Sequence, residues 1–156
     1  MPVVAQFLLI STLLTIAGLI ATSIVGFMAS PGNVAQHIMF ALGTVVVGLF
    51  SQSMTLFFFI GTGTQLKDKT RGGAVEAEVR GETRALTMKV SPAATFAMLV
   101  LMVTFITGGG VGSGKTPKWL HDLLTLGTIV VYARAYWVEL QAMMRNGELM
   151  QKYLSD

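Results

Sequence analysis

The chain has 156 residues, 53% of them hydrophobic before its 17 glycines are counted and only 12% charged; soluble domains carry roughly 25% charge, so an ordinary water-soluble globule is excluded. The long apolar runs exclude disorder, and the lack of any cysteine removes disulfides, iron–sulfur clusters, c-type haem attachment and thiol catalysis. The net charge of +3 does not point to nucleic acid, because the cations gather in one link and one tail.

No Asp, Glu, Lys or Arg occurs before Lys67, a stretch too long for one span of about 20 apolar residues. Ser30-Pro31-Gly32-Asn33 reads as a turn, with a proline to stop one helix and a glycine to reverse the chain. The first two helices are expected at about 5–28 and 34–60. The first lacks the basic start of a signal peptide and reads as a mature span.

A link at 61–91 follows, then a charge-free run to Lys115. Pro92 suits a first helical turn and Gly108-Gly109-Gly110 an end, so the third helix is expected at about 92–107. The fourth, at about 119–142, holds Asp122, Arg134 and Glu139. Arg134 is expected to snorkel or to pair with Glu139. In the link, Val75, Ala77 and Val79, then Leu86, Met88 and Val90, alternate with period two, which favours a short β-hairpin over a surface helix with a Glu76–Arg80 pair.

Lys67, Lys69, Arg71, Arg80, Arg84 and Lys89 lie in the link, and Arg145 and Lys152 in the tail. Cationic loops stay inside, so both termini are expected on the cytoplasmic side of a bacterial inner membrane, in contact with lipids. Tyr132, Tyr136 and Trp137 then fit an inner aromatic belt and Trp119 the outer one. The expected fold is an all-α membrane protein, a single domain, in which two tandem hairpins form a four-helix up-down bundle.

The hairpins share an internal repeat. His37-Ile-Met-Phe-Ala-Leu-Gly-Thr-Val-Val-Val matches His121-Asp-Leu-Leu-Thr-Leu-Gly-Thr-Ile-Val-Val without gaps, six of eleven positions being identical, and these are the only two histidines. Both start helices that run inward, on diagonal corners of an up-down bundle, so the imidazoles share a depth. Beneath them on the same face lie Ala41, Thr44, Gly48 and Ser51, and Thr125, Thr128, Tyr132 and Ala135. Most are small, which leaves room near the axis.

Two imidazoles make a poor zinc site, since zinc wants four ligands. A haem brings four nitrogens and needs two axial ligands, so His37 and His121 are the inventory for one b-type haem, with hydrogen bonds from Thr44, Thr128 or carbonyls. Ala41 and Gly48 would line the space, and Met28 and Met39 are candidate substitute ligands. The rival reading gives the repeat to helix packing alone; a (bacterio)chlorophyll or another metal is the third.

Gly109-Gly110-Val111-Gly112-Ser113-Gly114-Lys115-Thr116 fits the phosphate-binding pattern G-x-x-x-x-G-K-[ST]. That loop must follow a strand and open a helix; here it follows a membrane helix and precedes Pro117, so it reads as a connector and no nucleotide is expected. No catalytic triad or carboxylate pair is present, and catalysis by this chain alone is not expected.

Two resemblances bear on function. Phe50 to Lys67, with His37 ahead and Glu139 to Met150 behind, resembles a group of small bacterial four-span proteins of unassigned function. One histidine on each of the second and fourth helices resembles the haem-bearing bundle of the cytochrome b of quinol:cytochrome c oxidoreductases. Only His37 and His121 carry over. Ser51 and Ala135 stand near the depth of that family's inner histidines, so the resemblance implies at most one haem. The expectation is a subunit relaying electrons within a larger redox complex or homo-oligomer, with quinone as a candidate partner. The alternatives are a cofactor-free assembly subunit of a respiratory or photosynthetic complex, and a small transporter.

Overall fold

The computed structural model describes residues 2–29 and 34–154. It contains four helices, α1 (Val3–Phe27), α2 (Val34–Lys69), α3 (Glu76–Gly112) and α4 (Lys118–Leu154), each long and apolar enough to cross a membrane. The expected turn at Ser30, Pro31, Gly32 and Asn33 lies outside the described residues. Consecutive helices pack together, α4 returns against α1, and α2 meets α4 across the bundle, leaving α1 and α3 on the long diagonal. The expected up-down bundle of two hairpins is therefore what forms.

The seams follow a heptad. On α3 the buried residues are Val79, Thr83, Val90, Ala94, Ala97, Leu101 and Thr104, with the half-buried Leu86 completing the series. On α4, Thr128, Tyr132, Ala135, Glu139, Ala142, Asn146 and Leu149 alternate steps of four and three, as the α3 series does apart from one added step of four between Val90 and Ala94. A sustained 3.5-residue period gives the shallow left-handed crossing of coiled-coil-like bundles. The seam residues are mostly Ala, Ser, Thr and Gly, while Phe7, Ile10, Phe57, Leu99, Ile106 and Val130 face outward. Small seams and a greasy exterior are the pattern for helices that meet in lipid.

Several expectations about the helices change. No β-hairpin forms in the link, and no strand occurs among the described residues; α3 starts at Glu76. Val79 and Val90 belong to a helical heptad that runs on for the rest of α3, and the period-two alternation within it spans too few residues to compete. Pro92 sits inside α3, where neighbouring helices can absorb a missing amide bond. Gly108, Gly109 and Gly110 remain helical. The helices thus overrun the 34–60, 92–107 and 119–142 expected for them, and at about 1.5 Å per residue a 36-residue helix measures about 54 Å.

α1 begins level with Phe59, Val90 and Ala142. Beyond that level α2, α3 and α4 continue as a three-helix stub around Leu66, Val79 and Leu149. Arg145 ties it together by pairing with Glu82 of α3 at 2.9 Å and with Glu148 at 2.8 Å. At the other end the Gly-rich octad is a helix cap. The Lys115 and Thr116 amides both donate to the Gly110 carbonyl, at 2.9 and 3.0 Å, and Gly114 takes φ +71°, a left-handed position that closes a helix. Amides spent in this way are not turned toward a phosphate.

Gly48 marks the tightest crossing. A Cβ there would lie 2.7 Å from Thr15 Cγ2, 2.8 Å from Leu101 Cδ2 and 2.9 Å from the Tyr132 hydroxyl, whereas Gly43 has nothing within 4 Å. Gly48→Leu should cost about 1–3 kcal/mol by overpacking, and Gly43→Leu should stay within about 0.5 kcal/mol. Denaturation in detergent checks this; equal losses would contradict the packing.

Candidate functional site: two histidines and their glycine seats

His37 and His121 are each the fourth residue of their helix, counted from Val34 and Lys118. Each ring rests on a glycine of the preceding helix. A Cβ at Gly26 would lie 2.8 Å from His37 Cε1 and 3.2 Å from its Nδ1, and one at Gly108 would lie 2.9 Å from His121 Cε1. No larger residue fits either seat without displacing a ring.

The threonines repeat this arrangement lower down. Thr44 Oγ1 donates to the Phe40 carbonyl at 2.9 Å and lies 3.4 Å from Thr22 Oγ1. Thr128 Oγ1 meets Thr104 Oγ1 at 2.7 Å and can donate to the Leu124 carbonyl, also at 2.7 Å. Both therefore brace the helix pair of their own hairpin, and the expected hydrogen bonds from Thr44 and Thr128 to the imidazoles do not form. Ala41 is half-buried on α2. The room expected at Gly48 is filled by Thr15, Leu101 and Tyr132.

A different threonine serves His121. Thr107 Oγ1 donates its only proton to the Thr104 carbonyl at 2.8 Å and lies 3.4 Å from His121 Nδ1. With that proton so placed, the ring is the donor in the long contact and Nε2 keeps its lone pair; with the hydroxyl turned to the ring the roles reverse. Val25 occupies the matching place in the first hairpin, so His37 Nδ1 is buried with no partner. The orphaned His37 nitrogen and the two glycine seats are what a pair of imidazole ligands would offer. No group of three or more His, Cys, Asp or Glu comes together among the described residues. Met28 and Met39 are exposed.

The structure also exposes a signal that sequence reasoning missed. Leu19-x-x-Thr22-x-Ile24-x-Gly26 on α1 recurs as Leu101-x-x-Thr104-x-Ile106-x-Gly108 on α3. The repeat thus covers both helices of each hairpin, and its threonine and glycine are the partners of the duplicated threonine and histidine. A search for ungapped identity at an offset of 82 residues would have found it. Arg134 is exposed and Glu139 buried, and the expected Arg134–Glu139 pair does not form, because five residues on a helix set side chains about 140° apart. Tyr132 is a core residue, not part of an aromatic belt, while Trp119 and Trp137 are exposed.

No protein-family model matches the chain, no curated protein is measurably similar to it, and no solved structure matches it.

Interhelical polar pairs in membranes are worth about 0.6 kcal/mol on average and up to about 1.7. A double-mutant cycle on Thr104→Ala and Thr128→Ala should reach the upper part of that range, and one on Thr22→Ala and Thr44→Ala the lower part, following their separations. The reverse order would contradict the assigned contacts.

Proposed function

We propose that this chain is an integral subunit of a bacterial inner membrane that holds one b-type haem near the exoplasmic face through His37 and His121. It passes electrons within a larger redox complex, with quinol as the candidate donor. The observation that carries the reading is the duplicated seat: two lone imidazoles at the same helical position, on helices that meet diagonally, each against a glycine that tolerates no side chain. A haem held there would supply a one-electron couple.

The chain's own residues have distinct tasks in this reading. His37 and His121 would hold the haem iron. Thr107 would stand behind His121 at Nδ1, as partners of metal-bound histidines do. Gly26 and Gly108 keep the helix backbones close, and the Thr22–Thr44 and Thr104–Thr128 pairs hold each hairpin at that spacing. Lys67, Lys69, Arg71, Arg80 and Arg84 lie at the opposite end, and the bias of such residues toward the inside supports cytoplasmic termini.

The second reading is a cofactor-free assembly subunit of a respiratory or photosynthetic complex. The observation in its favour is that the duplicated threonines satisfy one another within each hairpin, so helix packing alone accounts for part of the repeat.

Purified protein should show reduced-minus-oxidised Soret and α bands, and His37→Ala and His121→Ala should each abolish the low-spin spectrum. A colourless preparation that still assembles with partner subunits would overturn the haem and support the scaffold.

A further inference from the structure

The bundle also buries a cluster of polar side chains about five turns below the histidines, counted along α4. Its centre is Glu139, with no exposed surface at all. One carboxylate oxygen, Oε2, accepts from Thr12 Oγ1 at 3.1 Å, and Ser51 Oγ sits 2.8 Å from Thr12 and 2.9 Å from Ser11. Gln52 lies beside the same carboxyl. The other oxygen, Oε1, is buried without a partner, and so are both amide atoms of Gln52 and the hydroxyls of Thr55 and Tyr132. All four residues are fully buried.

Orphaned polar atoms in such number point to something small that completes them. A charged carboxylate at this depth would need a cation facing it. Among the described residues none does: α1 has no ionisable side chain, α2 has none between His37 at its far end and Lys67, and the exposed Lys89 of α3 is held by Gln141 at 3.0 Å. On α4, Arg134 is exposed, and Tyr132 is the titratable group within electrostatic reach.

The unpartnered set discriminates between a metal cation and a proton. A sodium or potassium ion wants oxygens only, whereas the groups gathered here, an amide beside a carboxyl and two hydroxyls, mix donors with acceptors. Water serves both kinds of group. We propose that Glu139, Gln52, Thr55 and Tyr132 form a hydrated proton-binding site inside the bundle, in which Glu139 holds an exchangeable proton and water bridges the remaining groups. The site rests on its own observations and stands or falls independently of the haem.

Infrared spectroscopy of the full chain in lipid vesicles tests it. The protein should show the carbonyl band of a protonated carboxylic acid at neutral pH, shifted in heavy water and lost in Glu139→Gln. Tyr132→Phe and Gln52→Leu should move that band without abolishing it, which covers the case in which Glu139→Gln fails to fold. Dicyclohexylcarbodiimide, which reacts with protonated intramembrane carboxyls, should label Glu139 more slowly as pH rises and be indifferent to sodium. A carboxylate band alone at neutral pH, a protonated band with no heavy-water shift, or protection from labelling by sodium would each overturn the proposal.

Discussion

Helices that pack in lipid gain nothing from hiding apolar surface, so close backbone approach and internal satisfaction of polar groups must hold them together. The four helices are long and apolar enough to fall under that constraint. Ala, Ser, Thr and Gly recur along the buried seams among residues such as Phe59, Leu66 and Leu101, and many other large apolar side chains point outward. Gly48 admits Thr15, Leu101 and Tyr132 from the three other helices at once, and interhelical hydroxyl pairs lie among the apolar clusters around Phe59 and Leu101.

The histidines express the same rule. An imidazole at the end of a tightly packed hairpin needs a place with no side chain, and Gly26 and Gly108 provide one in each half. Duplication preserved the ring, its glycine, the lower threonine and that threonine's partner as one unit of four residues across two helices. The halves differ at one point: Thr107 lies 3.4 Å from Nδ1 of His121, while Val25 stands at the matching place and Nδ1 of His37 has no partner.

Much of the architecture was readable from the residues. The absence of charge before Lys67 and between Lys89 and Lys115 marks the apolar helices, and the gapless His37 and His121 repeat finds the paired corners. The link was misread because Val75, Ala77 and Val79 satisfy a period of two over too short a window, whereas the series from Val79 to Thr104 satisfies 3.5 over a whole helix. Glu139 was hidden for a related reason. When seam residues are small or polar, hydropathy cannot tell the inner face from the outer, and a buried carboxyl looks like a surface one. The contacts of Thr44 and Thr128 required knowing what the first helix of each hairpin offers them.

Because the chain has no cysteine, introduced pairs report proximity without background. The account requires each histidine position to face the glycine of its own hairpin. Oxidative cross-linking of Gly26→Cys with His37→Cys, and of Gly108→Cys with His121→Cys, should be rapid and nearly complete in membranes, with the crossed pairs at 26 and 121 and at 108 and 37 lagging well behind. Preferential linking of the crossed pairs would contradict the duplicated seats.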